Sequence, residues 1–537
     1  MAKPSRRRGH TKVVPAASAS IRPGGLSIIF VAALILRLLY VLSIRDAPFF
    51  QHLQTEPQRY DEWAALILGG ARAPAPPFEQ APGYAYFVAA VYAVCGRSLT
   101  AVTVVQALLD AATCALVGVA ARRWFGARAG MLAGVLAALY GPSIYFTGEL
   151  LPSTLFNCVC LLAIVVSLAA SKEAARAWTV AGCLWSLALL VRSEIVLAWP
   201  FVCADAWRRG GRRATMRIAL PMALVLVVGV AVNAMSSRKF VLFTTSGGVN
   251  LWLGNNPHAD GVNPFVYGPL EEVADAARAG AADAVDLDRI FTRHALAFWR
   301  DDPAAAVQLL WKKFVWIWTD RELPNSSDID WQTAQSWLFR VPLFPLRFGV
   351  VLPLALAGAL LLGRRWLGLP LLASLIVVGV GTSLLFFTNA RFRLIMVPPL
   401  VMLAAFALDR FAACLPTWRD HQAELGRAAS GVVIGLVIAW GNFYGVRDYQ
   451  IPQISVNTGA LEREAGALDA AVHHLRAGLA LYPRDAIGWV HLALALEQQG
   501  QVEAARQAYH DALALMPDDP TLKEMAGRFV ARRGGQL

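Results

Sequence analysis

Long apolar runs divide this chain, and polar or charged segments separate them. The runs lie near 26–44, 99–120, 129–147, 150–170, 178–192, 194–207, 214–235, 343–363, 367–387, 393–412 and 430–446. About 20 apolar residues in helical form cross roughly 30 Å of hydrocarbon, so most of these runs predict membrane-spanning helices. The pattern changes after residue 447, where shorter amphipathic segments repeat. The predicted fold class is all-α: a polytopic membrane bundle of about 11 spans followed by a C-terminal helical domain.

The fifth and sixth runs are short and are separated by Arg192-Ser193-Glu194. Read as two spans, they put Arg208, Arg209, Arg212, Arg213 and Arg217 on the same side as the Arg6–Arg8 cluster, Arg122, Arg123, Arg128, Lys172, Arg176, Arg364 and Arg365. Read as one helix, they would put that five-arginine loop outside, against the positive-inside tendency. The two-span reading predicts a cytoplasmic N-terminus, a basic tail over 1–25, and an extracytoplasmic C-terminus. Residues 26–446 then form the transmembrane domain, with extracytoplasmic loops at about 45–98 and 236–342. In the second loop, Trp311-Lys312-Lys313-Phe314-Val315-Trp316-Ile317-Trp318 has the aromatic and basic mixture of a helix at the bilayer surface.

Composition agrees with the pattern. The 537 residues are 57% hydrophobic and only 16% charged. The formal charge of +12 sits in clusters between apolar runs, as membrane orientation requires, which argues against a nucleic-acid partner. The seven cysteines show neither zinc-ligand spacing nor a disulfide framework and read as small buried fillers. The apolar run at 26–44 is too long for a cleaved signal and reads as a retained first span.

Residues 452–485 and 486–519 repeat with a 34-residue period, within a domain over 447–537. The second unit carries Trp489, Leu492, Ala493, Gly500, Ala505, Tyr509, Ala512 and Pro517, the small and large positions of a tetratricopeptide helix pair. The first carries Gly459, Gly466, Ala471, Leu475, Gly478 and Pro483, and a final helix near 520–533 would cap the stack. Two repeats are fewer than usually stand alone, so they are expected to lean on the membrane domain or on a partner. A spacer and a docking surface for an acceptor are both consistent with them.

Three carboxylates, Glu56, Asp61 and Glu62, fall within seven positions of the first long loop. The surrounding sequence, Glu56-Pro57-Gln58-Arg59-Tyr60-Asp61-Glu62-Trp63-Ala64 and then Phe78-Glu79-Gln80-Ala81-Pro82-Gly83-Tyr84, resembles the first periplasmic loop of GT-C glycosyltransferases. The bacterial branch close to protein O-mannosyltransferases and lipid A aminoarabinose transferases is the most similar. Gly254-Asn255-Asn256-Pro257 and Asn389-Ala390-Arg391-Phe392-Arg393 resemble further segments of that family, and the likeness extends over about 26–446.

The resemblance implies a transferase that takes a sugar from a polyprenyl phosphate on the extracytoplasmic face of a bacterial inner membrane. The acceptor would be a protein or an envelope glycan, reached through the tetratricopeptide domain. Such a reaction needs a carboxylate to take the acceptor proton and cations to hold the leaving phosphate. The family's acid is an aspartate four residues before the tyrosine; here that position is Glu56, and Asp61 is its rival. On a helix Glu56 and Tyr60 share a face while Asp61 points elsewhere. Arg391, Arg393 and Arg192 are candidates for the donor phosphate, since a planar guanidinium stays charged and makes paired hydrogen bonds. Tyr60 and Glu149 are candidates for donor contacts, and Tyr84, Asn255, Asn256 and His258 for acceptor or loop contacts. No metal ligand set is assigned and no cofactor is required, although a divalent cation, with His52 near Glu56, stays open.

Two further readings stand beside this one. The first is an oligosaccharide ligase or polymerase with a polyprenyl-pyrophosphate donor, drawing on Arg293, His294 and Arg300 in the second loop. The second is a non-catalytic membrane scaffold with a docking domain.

Overall fold

The computed structural model describes residues 24–533 apart from 72, 74, 325 and 342–344. The basic tail at 1–25 therefore lies almost wholly outside the described residues. The described chain is helical throughout; its only extended pairing is an isolated bridge between Tyr140 and Leu346.

Among the described residues, each predicted apolar run overlaps helix. Five helical stretches are long and apolar enough to cross a membrane: Gly25–Ile44, Leu99–Phe125, Ser193–Ser237, Phe348–Trp366 and Ala390–Trp440. Five shorter apolar helices accompany them: Gly83–Cys95, Ala127–Leu139, Ser153–Ala169, Ala175–Val191 and Pro370–Leu385. The stretch from Ser193 to Ser237 is interrupted at Gly211, whose φ of 67° and ψ of −164° break the helix inside the arginine cluster. Such a φ is open to glycine and costly for other residues. A second interruption comes at Arg192, extended at φ −150° and ψ 122°, before the 3₁₀ turn Ser193–Ala198. The last apolar run differs from expectation, with its helix spanning Gln422–Trp440 rather than 430–446. Gln422, Ala423, Glu424 and Leu425, good helix formers, extend it backwards, and it ends at Gly441, which is extended at φ −66° and ψ 138°.

Small residues set the packing. A Cβ on Gly118 would stand 3.1 Å from the Gly130 carbonyl oxygen, and one on Gly130 would stand 2.8 Å from that of Gly118. Gly358 approaches the Leu403 carbonyl oxygen, and Gly435 approaches Pro353, so Phe348–Leu362 is clasped between Val397–Cys414 and Gln422–Trp440. Without a hydrophobic driving force inside lipid, close backbone approach of this kind supplies much of the association energy. Arg37 and Asp110 form a buried ion pair (2.8 Å) joining Gly24–Ile44 to Leu99–Phe125, and Arg37 also donates to the Ala138 carbonyl.

The loop between residues 238 and 347 folds into the helices Gly247–Gly254, Pro269–Gly280, Ala284–Asp301, Pro303–Ile317 and Ile329–Ala334. The expected surface helix is Pro303–Ile317. It exposes Trp311 and buries Lys313 and Trp316, so one face is free and the other packs into the protein.

Five helices follow: Pro452–Glu464, Leu468–Leu481, Ala486–Gln498, Val502–Leu515 and Pro520–Arg533. Ala471, Ala493, Ala505 and Ala512 are fully buried between them. The stack leans on the loops as expected. Glu462 accepts a hydrogen bond from Trp331 Nε1 (2.9 Å), Tyr482 donates to Glu271 (2.7 Å), and Tyr449 donates to Asp260. Ile451 and Ile454 share an apolar cluster with Val262, Trp316 and Leu323.

Candidate active site

Helix Thr55–Leu68 places Glu56 in its first turn and Tyr60 one turn later, and both side chains reach the wall of a cavity of about 1010 Å³. Asp61 faces the other way. It accepts hydrogen bonds from the Tyr92 hydroxyl (2.7 Å) and Arg97 Nε (3.2 Å), tying its helix to Gly83–Cys95. The i,i+4 relation of Glu56 and Tyr60 thus separates the two acids.

Glu56 is ion-paired with Arg391, which arrives from the far end of the sequence. Gln80 Nε2 donates to its other oxygen (3.4 Å), and Gln80 Oε1 in turn accepts from the Tyr60 hydroxyl (2.8 Å). Burial by itself would raise the Glu56 carboxyl. The Arg391 guanidinium, with Arg192 and Arg59, outweighs burial and holds it below the ordinary glutamate range. The Tyr60 phenol is pushed well up, first by burial and then by Glu56, so it is a neutral donor. The cavity therefore presents an ionised carboxylate beside a phenol that keeps its proton.

Arg192 also lines the cavity. It is ion-paired with Glu194 and lies over the rings of Phe156 (5.3 Å) and Phe392 (5.2 Å). Gly83 makes this corner possible, since a Cβ there would stand 2.6 Å from the Leu190 carbonyl oxygen just before the break. Arg391 lies over Phe392 as well, at 5.4 Å, so two guanidinium groups share one aromatic support.

The helix Ala284–Asp301 also lines the cavity, contributing Asp286, Asp288, Arg289, Thr292 and Arg293. Gly248 holds this helix in place: its backbone N–H binds Asp288 Oδ1, and a Cβ would stand 2.0 Å from the Asp288 carbonyl oxygen. Arg289 and Arg293 are one turn apart and exposed on the wall, and among the described residues neither forms an ion pair. Arg293 enters the sequence analysis only with the ligase or polymerase reading, and Arg289 not at all. Their i,i+4 spacing was the available signal. Gln80 and Glu194 were likewise not singled out.

The structure draws several other candidates away from the cavity. Arg393, two residues beyond Arg391, turns into the protein, where it pairs with Glu322, donates to the Thr319 and Arg321 carbonyls, and lies over Phe348 (4.2 Å). It is a buried cross-link between loop and bundle, and not a wall residue. Tyr84 is fully buried, donates to Gln106 (2.8 Å) and meets the Tyr60 ring edge-on at 4.8 Å, so it props Tyr60 from behind.

Asn255 binds the Leu251 and Leu385 carbonyls and accepts from Trp299 Nε1 (3.2 Å) and Lys313 Nζ (3.3 Å). Burial pushes the Lys313 ammonium down to about 7. Asn256 closes its own turn, donating to the Trp252 carbonyl (2.8 Å) and accepting from the His258 backbone N–H (2.8 Å). His258 is exposed away from the cavity. These three residues shape the loop rather than line the site. Gly254 explains the tightness, since its Cβ position lies 1.8 Å from the Phe386 carbonyl oxygen.

Glu149 is buried behind the wall, between two water-sized cavities, one of which it shares with Arg391 and the other with His52. Burial pushes its carboxyl up to about 7, against a hydrogen bond with Tyr145. His52 and Glu56 thus line different cavities.

Residues 79–235 match the family described as dolichyl-phosphate-mannose-protein mannosyltransferase, and residues 486–519 match the tetratricopeptide repeat. The first match includes Gln80, Glu149 and Arg192. Several solved structures are similar, two of them as follows. One is ArnT from Cupriavidus metallidurans bound to undecaprenyl phosphate, at 17% identity over 91% of this chain and 80% of that chain, with a TM-score of 0.41. The other is the archaeal oligosaccharyltransferase AglB from Archaeoglobus fulgidus, in complex with an inhibitory peptide and a dolichol-phosphate, at 15% identity. That alignment covers 82% of this chain and 58% of that chain, with a TM-score of 0.37. No curated protein matches the chain. Residues 79–235 thus carry the mannosyltransferase-family match, within a chain that has several helices long and apolar enough to cross a membrane. Its C-terminal helices include a tetratricopeptide repeat.

Proposed function

We propose that the protein transfers a single sugar, with inversion, from a polyprenyl phosphate to a protein or envelope-glycan acceptor on the extracytoplasmic face of a bacterial inner membrane. The observation that carries this reading is the ion pair of Glu56 and Arg391 in a cavity that Arg289 and Arg293 also line. In the step itself the acceptor hydroxyl oxygen attacks the anomeric carbon, and its proton passes to the Glu56 carboxylate. The bond from the anomeric carbon to the phosphate oxygen breaks, and its electron pair leaves with the polyprenyl phosphate. Arg289 and Arg293 hold that phosphate, and Arg192 and Arg391 add to the positive field. Fixed guanidinium groups of this kind favour the charge that develops on the leaving group. A phosphate near Arg391 also competes with Glu56 for it, which restores basicity to the carboxylate when donor is bound.

The proposed topology has about 11 spans, a cytoplasmic basic tail over 1–25, a transmembrane domain over 26–446 and an extracytoplasmic repeat domain over 447–537. It is supported by the clustering of arginines at the Gly211 break and at Arg364 and Arg365. The repeats pack on the loop over 236–342, other parts of which line the cavity, and this supports a docking role on the acceptor side.

Lipid extraction and mass spectrometry of the purified protein, with a transfer assay on Glu56→Gln, test the reading. A co-purified polyprenyl monophosphate and loss of transfer are expected. A diphosphate-linked donor would instead favour the ligase reading, and full activity of Glu56→Gln would overturn the assignment of the base.

A further inference from the structure

Outside the cavity, one cluster of three metal-ligating side chains occurs among the described residues: Cys414, His421 and Glu424. Cys414 ends the helix Val397–Cys414, His421 closes the 3₁₀ turn Leu415–His421, and Glu424 lies in the first turn of Gln422–Trp440. Their ligand atoms all lie within 4.8 Å of one another. An 18-residue helix is about 27 Å long, so the cluster sits at the opposite end of its span from Arg391.

We propose that this cluster is a binding site for a zinc-type divalent ion that staples the turn between the last two membrane helices. The carboxylate is already divided between two tasks. Arg410 holds Oε1 through Nε (2.9 Å) and Nη2 (2.7 Å), while Oε2 faces His421 Nδ1 at 3.5 Å. Ligand atoms about 2.0–2.1 Å from a tetrahedral ion stand roughly 3.3 Å apart, so the His421–Glu424 separation fits a shared ion better than a strong direct hydrogen bond. Arg410 plays the part of an outer-shell donor that fixes a ligating carboxylate. Its Nη2 also lies 3.9 Å from Cys414 Sγ, so one guanidinium touches two of the three ligands. A thiolate, an imidazole and a carboxylate together select an ion of the zinc type over magnesium or calcium, and leave a fourth position for water. Binding is a simple coordination, with the thiol proton released to solvent.

The test uses the full-length protein in detergent, stripped with a chelator and titrated with Co²⁺. The expected result is a thiolate-to-cobalt charge-transfer band that saturates at one equivalent and is displaced by Zn²⁺. Cys414→Ser should abolish the band, and His421→Ala and Glu424→Gln should each weaken binding at least tenfold. His421 is partly exposed, so its variant keeps the test decisive if Cys414→Ser does not fold. Absence of the band in the wild type, or its survival in the variants at wild-type affinity, would overturn the proposal.

Discussion

Glu56 and Arg391 are 335 positions apart in sequence and form an ion pair on the wall of the large cavity. The pair joins the first loop to the segment before the helix Val397–Cys414, so it both closes the site and sets the charge state of the carboxylate. An acid held ionised and turned toward a cavity is suited to taking a proton.

Glu56→Gln should lower sugar transfer by about 10²-fold or more, the usual contribution of a positioned general base. Asp61→Asn should leave transfer within about tenfold of wild type and should instead lower the melting temperature, since Asp61 serves Tyr92 and Arg97. Paired transfer and melting measurements check both. Equal losses of transfer in the two variants would contradict the separation of the two acids.

Arg289→Gln combined with Arg293→Gln should weaken donor binding by about tenfold or more, since hydrogen bonds to charged groups contribute about 1.5–3 kcal/mol each. The loss should show chiefly in KM for the lipid donor, and the wild type's dependence on salt should shrink in the double variant. Arg393→Gln should behave differently. It removes a buried cross-link and lowers stability, leaving KM of the surviving enzyme unchanged.

Glu149 gives a signed dependence of stability on pH. Its folded carboxyl is raised from 4.5 to about 7, so the native state holds a proton that the unfolded chain has released. Stability from this group is fully present below about pH 4.5 and is lost as pH rises toward about 7. Glu149→Gln should flatten that decline in a series of melting curves. The expected gain at pH 8 is at most about 3 kcal/mol.

His474 acts with the same sign on the seat of the repeats. Its Nδ1 lies 2.7 Å from Glu462 Oε2, a hydrogen bond that raises the imidazole above its ordinary value. The contribution is present below about pH 6.5 and is lost as pH rises through the folded value. Limited proteolysis should release the repeat region more readily in Glu462→Gln, which loses a charged partner for His474. The difference from wild type should be larger at pH 6 than at pH 9.

Gly248→Ala should displace the helix Ala284–Asp301, because the new methyl group would stand 2.0 Å from the Asp288 carbonyl oxygen. Transfer should fall with the loss of Arg289 and Arg293 from the wall. Gly527→Ala, which meets nothing within 4 Å and lies away from the cavity, is the control and should leave transfer and melting unchanged.

The apolar runs were legible because a membrane helix satisfies its own backbone hydrogen bonds, so length and composition suffice to find it. The helical repeats were legible because Ala493, Ala505 and Ala512 mark close packing at a fixed period. The separation of Glu56 from Asp61 followed from helical spacing alone. Spacing did not reveal which arginine of Arg391-Phe392-Arg393 faces the cavity, because two residues on a short turn point in opposite directions and tertiary packing chooses between them. The same holds for Asn255 and Asn256, whose amides are consumed by carbonyls from Leu251, Leu385 and Trp252. Arg289 and Arg293 line the cavity because Gly248 lets the helix Ala284–Asp301 pack closely on Gly247–Gly254. Local periodicity therefore determined the elements and the candidate base. The cavity, its second pair of cations and the burial of Arg393 were decided by contacts between residues far apart in the chain, which no local pattern encodes.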